Sequence, residues 1–256
     1  MINVILCGCT GRMGRAVTEL INKSEKFRIV AGVDVNTENI APACKFPVYQ
    51  TIKEFPDRAD VIIDFSHHTA LADLLEYAKS SLTPIVVCTT GHTDEERQMM
   101  KDAASTTPVF FSRNMSIGIN LLIELCRKTA KTLGIAFDVE IIEKHHNQKL
   151  DAPSGTALML AEAIADERDA SEFVYDRHDR MQKRDPSEIG IHAVRGGTIV
   201  GEHDVIFAGN NEIITLSHSA TSREIFANGA LKAAEFIVGK SPKMYDMSDV
   251  INQESI

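Results

Sequence analysis

The chain has 256 residues, of which 44% are hydrophobic, and a formal net charge of -9 at pH 7, which suits one large globular core or two modest ones. The acidic balance argues against a nucleic-acid or anionic-membrane surface, because such surfaces need clustered lysine and arginine to displace counterions. No apolar run approaches the roughly 20 residues that cross a bilayer, so we do not expect an integral membrane protein. An anionic ligand must therefore meet a local positive pocket.

The cysteines form an odd set without a paired framework. They are Cys7, Cys9, Cys44, Cys88 and Cys126. Met1 leads directly into a strand-like run, so we expect no secretory leader and a reducing, cytoplasmic setting. Cys7 and Cys9 form a Cys-x-Cys pair, but zinc needs about four ligands and no second pair follows at a suitable spacing. We interpret the pair as packing residues at the end of a strand.

Short apolar runs alternate with helical patterns through the first 111 residues. The runs are VIL at 4–6, RIVAGV at 28–33, VIIDF at 61–65, PIVVC at 84–88 and PVFF at 108–111. Such runs are typical of parallel strands that are buried on both faces. Between them, Leu71 and Leu74 lie at helical spacing, and Thr93 precedes an acidic first turn as a helix N-cap. The alternation predicts a Rossmann-type, doubly wound parallel sheet.

The pattern changes after residue 116. An apolar helix is predicted at 117–134, then a strand at 137–144 and a second helix from Ser154. The charged segment 166–188 has little periodicity, and we expect a solvated connector there.

The last third of the chain differs again. From Glu188 to Ala220, β-branched runs and the turn sequences RGG and GNNE predict an antiparallel meander. A final helix with an apolar face around Phe226 ends near Gly239. The fold class is therefore α/β. A dinucleotide-binding domain at 1–116 is followed by an α+β domain at 117–223 with a mostly antiparallel or mixed sheet.

A glycine loop follows the first strand. The sequence GCTGRMG spaces Gly8, Gly11 and Gly14 as G-x-x-G-x-x-G, which differs from the commoner G-x-G-x-x-G fingerprint. It meets the same requirements: a tight turn, close backbone approach to a pyrophosphate, and close packing of the next helix. A plain strand-to-helix turn is the alternative. Asp34, about 20 residues on at the end of the second strand, favours a dinucleotide site.

The residues around Asp34 predict which dinucleotide is preferred. Its carboxylate would accept hydrogen bonds from the adenosine ribose and repel a 2'-phosphate, and the following VNTEN offers no arginine. We expect a preference for NADH, with NADPH as a less favoured cofactor.

Polar segments follow two later strands, at the sheet edge where an open sheet of this type holds its ligand. They are CTTGH at 88–92 and SRNMSIG at 112–118. Their hydroxyls and amides could line the nicotinamide ribose and carboxamide. Ordinary turn and N-cap roles for Thr89, Thr90 and Asn114 are the alternative.

The stretch EKHHNQKLDAPSGTA, at 143–157, carries the densest group of reactive side chains. Adjacent residues of an extended segment point to opposite faces, so His145 and His146 cannot easily bind one metal ion, and we predict no metal site. A purely structural role is the alternative for His146 on its own.

The second half of the same stretch predicts an anion site. Ser154, Gly155 and Thr156 open a helix, whose unpaired N–H groups and dipole attract negative charge. Lys149 adds a cation, and a nearby histidine could supply a proton. The group suits the reduction of a small carboxylate-bearing substrate.

Four motifs together resemble one family. They are E-x-x-E-x-H-H-x-x-K-x-D-A-P-S-G-T-A at 140–157, GCTGRMG at 8–14, RGGTIVGEH at 195–203 and SREIFANGA at 222–230. In this order they resemble the 4-hydroxy-tetrahydrodipicolinate (dihydrodipicolinate) reductases over nearly the whole chain. The resemblance implies a cytoplasmic enzyme of the diaminopimelate route to lysine that reduces the dehydrated hydroxy-tetrahydrodipicolinate ring with NAD(P)H.

The resemblance also implies roles for individual residues. It makes His145 the proton donor or acceptor and Lys149 a second proton donor, with substrate bound by His146, Gly155 and Thr156. It assigns the pyrophosphate to Gly8, Cys9, Thr10, Gly11, Arg12 and Met13, and the adenosine ribose to Asp34. It assigns the nicotinamide half to Cys88, Thr89, Thr90, Ser112, Arg113, Asn114 and Met115.

At the level of the assembly, the resemblance implies a homotetramer built through the sheet of the second domain. It also implies that the helix within 224–256 returns to the first domain. One departure stands out, because many members have an arginine directly after the acidic ribose-binding residue, where this chain has Val35. That difference agrees with the expected preference for NADH.

Two other functions stay open at this point. One is a different two-domain NAD-dependent dehydrogenase of a small keto or imino acid or a sugar. The other is a protein that senses NADH without turnover, against which the combined His-His-x-x-Lys and Ser-Gly-Thr set argues. Oxidation of NADH by a different acid would favour the first, and tight NADH binding without oxidation would favour the second.

Overall fold

The structure, a computed structural model, describes residues 1–37, 44–168 and 172–253. The chain divides into two compact units, one of Met1–Ser116 with Glu224–Ile256 and one of Ile117–Arg223.

Twelve strands and seven α-helices are present in the described residues. The strands are β1 (Ile2–Cys7), β2 (Phe27–Val33), β3 (Val48–Tyr49), β4 (Val61–Asp64), β5 (Ile85–Val87), β6 (Val109–Phe111), β7 (Asp138–His145), β8 (Glu172–Val174), β9 (Glu188–Arg195), β10 (Gly201–Ala208), β11 (Ile213–Ala220) and β12 (Met244–Tyr245). The helices are α1 (Arg12–Asn22), α2 (Leu71–Ser81), α3 (Asp94–Ala103), α4 (Ile117–Leu133), α5 (Gly155–Ala165), α6 (Glu224–Ile237) and α7 (Met247–Gln253).

The first unit contains a seven-stranded sheet in the order β12-β6-β5-β4-β1-β2-β3, and every pairing is parallel. The five predicted apolar runs form β1, β2, β4, β5 and β6, so the predicted doubly wound sheet is confirmed. The sequence analysis missed β3 and β12, because two-residue strands are too short to show a period. The strand order reverses between β1 and β4, where a sheet of this type opens a ligand crevice at its carboxyl edge.

Helix caps follow the predicted chemistry where the sequence signal is strong. The Thr93 hydroxyl accepts the Glu96 N–H, and the Glu96 carboxylate accepts the Thr93 N–H, which forms a complete capping box at the start of α3.

Cys7 and Cys9 are 1% and 0% exposed, as expected for packing residues at the end of β1.

The second unit contains a five-stranded mixed sheet in the order β11-β10-β7-β9-β8. Helices α4 and α5 contribute to one apolar core with this sheet. The predicted antiparallel meander is wrong for β9, which pairs in parallel with β7 and β8, whereas β10 and β11 do form an antiparallel pair. The reason is that the RGG turn signals only a change of direction, and β7 lies between β9 and β10 in the sheet.

In the charged segment 166–188, the described residues 175–187 are mostly exposed and lie outside helices and strands, as predicted for a solvated connector, but other features tie the segment to the sheet. It contains β8, and its arginines bind carboxylates of the sheet. Arg184 contacts Asp138 at 2.7 Å and Glu140 at 3.0 Å, and Arg180 contacts Glu188 at 3.2 Å. Charge density alone therefore predicted the exposed residues but not these ion pairs, in which arginines of the segment bind partly or fully buried carboxylates.

Candidate active site

Gly8 and Gly14 shape the loop after β1. Gly8 has a φ of +74°, and a Cβ on it would lie 2.4 Å from the Phe65 carbonyl oxygen. A Cβ on Gly14 would lie 2.2 Å from the Gly8 carbonyl oxygen, so α1 can pack this closely only without a side chain there. Gly11 is the N-cap of α1. The loop therefore brings closely packed backbone and a helix N-terminus to the end of β1, which fits a pyrophosphate.

Asp34 follows β2 beside the glycine loop. Its carboxylate accepts the Thr10 N–H at 2.9 Å and the Asn36 N–H at 3.1 Å. It lines a cavity of about 490 Å³, together with loop residues and Val35, whose exposure is 88%. None of the described residues that line this cavity is a lysine or an arginine. The cavity therefore has a carboxylate at its edge and no cationic side chain among its described lining residues.

A second cavity, of about 530 Å³, contains residues that follow β4, β5 and β6. Its lining includes the predicted residues Met13, Cys88, Thr89, Thr90, Ser112, Arg113, Asn114 and Met115. It also includes Phe65, Ser66, His67, His68 and Phe226, which the sequence analysis did not select. The structure thus brings the 88–90 and 112–115 segments together. Of the other predicted residues, Cys9 has a fully buried side chain and Arg12 lies exposed at the start of α1.

Asp64 holds residues that follow β4 and β5 through hydrogen bonds. It is fully buried at the end of β4, and its carboxylate accepts the Thr89 hydroxyl at 2.9 Å and the Ser66 N–H at 2.9 Å. Burial raises the pKa of Asp64, while the hydrogen bonds from Ser66 and Thr89 act in the opposite direction. These bonds fix the Thr89 side chain, so its predicted place in the cofactor cavity depends on a buried acid that the sequence analysis missed.

His145 lies at the end of β7 in the second unit and is 9% exposed. Its Nδ1 lies 2.6 Å from Oε2 of Glu143, which is two residues earlier on the same face of the strand. Arg195, the last residue of β9, donates to both Glu143 oxygens at 2.8 and 2.7 Å. The result is a chain of contacts from an arginine through a buried carboxylate to the histidine.

The pKa values of Glu143 and His145 are both lowered, each by contributions that partly oppose one another. Burial raises the pKa of Glu143, but the hydrogen bonds from Arg195 and His145 outweigh it and hold the pKa below its ordinary value. Burial lowers the pKa of His145, although the hydrogen bond to Glu143 opposes the shift; Lys149 and Arg195 lower the pKa further. Glu143 is therefore ionised and the His145 ring is mainly neutral near pH 7.

The predicted lysine and the second histidine lie in the turn after β7. The Lys149 Nζ contacts Asp151 Oδ1 at 2.8 Å, with its side chain 21% exposed. The His146 Nε2 lies 3.3 Å from Nη2 of Arg223. Positive groups therefore gather in this turn, as the anion site requires, and Arg223 extends the set beyond the predicted residues.

Ser154 caps α5 rather than facing solvent. Its hydroxyl accepts the Ala157 N–H at 3.1 Å and lies 3.0 Å from Nε2 of His203, and the residue is 2% exposed. Its N–H donates to Glu143 at 3.0 Å, so the start of α5 is tied to the carboxylate that contacts His145. Gly155, the first residue of α5, is exposed.

Sequence reasoning therefore missed the support around His145. Glu143, Arg195, His203 and Arg223 all lie within the motifs quoted above, but no role was given to them. The signal that could have identified Glu143 is its i, i+2 spacing from His145 on a strand, which places both on one face. Arg195 and His203 could not be found this way, because their contacts depend on which strands pair.

Two kinds of feature are absent from the described residues. Across the described residues, no cluster of three or more His, Cys, Asp or Glu side chains has a metal-binding arrangement. None of the described helices combines the length and the apolar character needed to cross a membrane.

The first unit has a glycine loop at the carboxyl edge of a Rossmann-type sheet, and the second unit has a histidine, a lysine and a buried carboxylate near a helix start. Each feature is typical of the class of NAD(P)-dependent oxidoreductases. The comparison with family models narrows the class. Residues 2–115 match the dihydrodipicolinate reductase N-terminus, and residues 118–251 match the dihydrodipicolinate reductase C-terminus. The chain belongs to the dihydrodipicolinate reductase family, and the resemblance drawn from the four motifs is confirmed.

Individual relatives agree with this assignment. The chain is 52% identical over 254 residues to the 4-hydroxy-tetrahydrodipicolinate reductase of Caldanaerobacter subterraneus subsp. tengcongensis, covering 99% of both chains. It is 47% identical to that of Clostridium novyi, covering 100% of both. Among solved structures, a dipicolinate-bound dihydrodipicolinate reductase from Paenisporosarcina sp. TG-14 has a TM-score of 0.82 at 25% identity, over 96% of this chain and 97% of the other.

Proposed function

We propose that this chain reduces the dehydrated hydroxy-tetrahydrodipicolinate ring to tetrahydrodipicolinate with NAD(P)H, as a step of the diaminopimelate route to lysine. The observation that carries the proposal is the grouping of His145, Lys149 and the start of α5 in a chain of the dihydrodipicolinate reductase family. The dipicolinate bound to the Paenisporosarcina enzyme is, like the proposed substrate, a six-membered nitrogen ring that carries two carboxylates.

His145 is the proposed proton donor. The ring is mainly neutral in the free protein, because burial and nearby cations lower its pKa. A bound dicarboxylate brings negative charge beside it, which raises the pKa and favours the protonated ring. The substrate thus helps to charge the group that protonates it, while NADH, when bound, supplies the hydride.

The substrate carboxylates are proposed to lie among the positive groups of the turn after β7. Within the described residues, Lys149 forms an ion pair with Asp151, whose carboxylate is largely exposed. This exposed contact can be exchanged for a ligand at small cost. His146 and its neighbour Arg223 offer a second point of contact. Gly155 and Thr156 would contribute the helix start, and Ser154 would act through its cap and its contact with His203.

For the cofactor, we propose a preference for NADH over NADPH. Asp34 lines the adenosine-side cavity, whose described lining offers no cationic side chain for a 2'-phosphate. Gly8 to Met13 would hold the pyrophosphate through backbone N–H groups, and Cys88 to Thr90 with Ser112 to Met115 would line the nicotinamide half. Clearly higher catalytic efficiency with NADPH would contradict the preference.

The assembly and the cellular location are also proposals. Helices α4 and α5 join the core on one side of the second unit's sheet, and the other side leaves Val194 at 45% and Ile213 at 67% exposure. A partly apolar sheet face suits a subunit contact, so we propose a homotetramer that uses this face. A cytoplasmic location accords with five unpaired cysteines and with a biosynthetic role.

One coupled assay tests the function. Purified protein is mixed with a dipicolinate-type synthase, pyruvate, aspartate semialdehyde and NADH, and absorbance of NADH is followed. Oxidation that depends on all components supports the proposal. Oxidation only with another keto or imino acid would instead identify a different dehydrogenase, and tight NADH binding without any oxidation would identify a sensor.

A further inference from the structure

The carboxylate of Glu143 takes part in four hydrogen bonds, with Arg195, Ser154 and His145, although its side chain is fully buried. Oε1 accepts from Arg195 Nη2 at 2.7 Å and from the Ser154 N–H at 3.0 Å. Oε2 accepts from Arg195 Nη1 at 2.8 Å and lies 2.6 Å from His145 Nδ1. A buried carboxylate facing an arginine in this bidentate way is ionised.

The ionisation of Glu143 decides where the proton on His145 lies. An ionised carboxylate can only accept hydrogen bonds, so the Nδ1 atom that faces it must carry a proton. The other nitrogen, Nε2, is then left to exchange a proton with a ligand. Gly201 lies beside this nitrogen, since a Cβ on Gly201 would lie 3.1 Å from Nε2, so a larger residue there would crowd the atom.

We propose that Glu143, held by Arg195, is a positioning residue that fixes the tautomer and the ring orientation of His145, and so makes Nε2 the atom that transfers the proton. Gly201 keeps the space in front of Nε2 free of a side chain. The inference rests on the proposed role of His145 in the reaction. It identifies the nitrogen of His145 that transfers the proton and the residues that determine this choice.

The substitution Glu143→Gln tests the selection directly. Oε1 would keep its two N–H donors, so the amide nitrogen of the glutamine would replace Oε2 and point at His145 Nδ1 and at Arg195. An amide N–H donates, so a neutral ring would have to accept at Nδ1 and carry its proton on Nε2. The wild-type and the variant therefore should hold opposite tautomers.

The first measurement needs no catalysis. Full-length protein labelled with ¹⁵N-histidine is examined by NMR at a pH where the ring is neutral, and the His145 resonances are assigned from their loss in His145→Gln. We expect the proton on Nδ1 in the wild-type and on Nε2 in Glu143→Gln. A proton on Nε2 in the wild-type would overturn the inference, and this outcome is informative even if the variant fails to fold.

The second measurement is kinetic. Glu143→Gln should reduce kcat/KM about 10²-fold or more, within the usual range for general acid–base catalysis, with NADH affinity unchanged. Glu143→Asp, which keeps the charge, should recover part of the loss. The matched control is Glu124→Gln, a carboxylate that faces Arg127 on α4 with 42% of its side chain exposed; it should leave kcat/KM unchanged.

The pH profile separates positioning from a merely structural role. The charged and titratable groups facing His145 are Glu143 on β7, Lys149 in the next turn, Arg195 on β9 and His203 on β10. Of these, only Glu143 favours the protonated ring, so its loss lowers the pKa of His145 further. The limb of kcat/KM that requires protonated His145 should therefore move to lower pH in Glu143→Gln.

The failure of this inference differs from failure of the proposed function. If His145→Gln abolishes turnover but Glu143→Gln keeps both the rate and the pH profile of the wild-type, only the positioning role is overturned. If His145→Gln itself retains full turnover, the proposed function of His145 is overturned, whatever the tautomer.

Discussion

The dinucleotide cleft of the first unit is formed mainly by backbone, whereas the histidine site of the second unit is formed by charged side chains. In the cleft, Gly8 and Gly14 leave space that backbone atoms fill, and hydroxyls such as that of Thr89 are fixed by one buried acid. Around His145, the contacts that fix the ring are an ion pair and hydrogen bonds between side chains. Substitutions in the cleft should therefore change its shape and weaken cofactor binding. Substitutions around His145 should change the protonation of its ring.

The largest effect is expected at the proton donor. His145→Gln should reduce kcat by roughly 10²- to 10⁴-fold with a much smaller change in KM, because a general acid acts in the transition state more than in binding. Steady-state kinetics with synthase-generated substrate checks this. His178→Gln, at a histidine whose side chain is 73% exposed, is the matched control and should retain wild-type kcat. Equal kcat in both variants would remove His145 from the reaction.

A shape change in the cleft should act on the cofactor alone. Gly14→Ala would place a Cβ 2.2 Å from the Gly8 carbonyl oxygen, so the loop must move away from its pyrophosphate-binding form. We expect the Kd for NADH, measured by fluorescence titration, to rise at least about 10-fold, the effect of losing one or two backbone hydrogen bonds to charge.

The control for the cleft is Gly91→Ala, in the same unit. A Cβ on Gly91 meets no atom within 4 Å, although its φ of +84° carries some strain. If both alanine variants weakened NADH binding equally, backbone strain in general, and not the closeness of Gly14 to the loop, would be the cause.

The charged site should respond to pH through His203. Burial, followed by the nearby His145, lowers the pKa of His203 from 6.5 to about 4. The folded protein thus binds this proton less well than the unfolded chain does. The contribution of neutral His203 to stability is therefore complete above pH 6.5 and is lost as the pH falls toward about 4.

Urea unfolding at pH 7.5 and pH 5 checks the size of that contribution. The wild-type should lose about 2 kcal/mol more than His203→Gln across this interval, because the variant lacks the linked proton. Other carboxylates titrate in both proteins, so the difference between the two proteins is the relevant quantity. Identical losses would show that His203 is not kept neutral by the fold.

The comparison also explains how much could be predicted from sequence. The residues of the cleft could be predicted because they are close together in the sequence. Gly8, Gly11 and Gly14 are spaced along one turn, and Asp34 follows the next strand. Glu143 was within reach, since i, i+2 spacing on a strand is also local. Arg195 and His203 were not, because their contacts with Glu143 and Ser154 depend on β9 and β10 both lying beside β7. The incorrect meander and the ion pairs that the connector prediction missed have this same origin, pairing over long sequence distance.

The smallest effect is expected at Val35. A substitution there tests whether an added side-chain charge can change the cofactor preference of the cleft. Val35 is 88% exposed and lines the cavity with Asp34, so Val35→Arg adds a cation there without steric conflict. An exposed charge contact is worth about 1 kcal/mol, so the ratio of kcat/KM for NADPH to that for NADH should rise about fivefold. Val35→Gln, polar but neutral, should leave the ratio unchanged. Because exposed charges are screened, the gain should shrink as salt is added; a gain that is independent of salt would mean that the arginine acts by packing on the adenine instead of by charge.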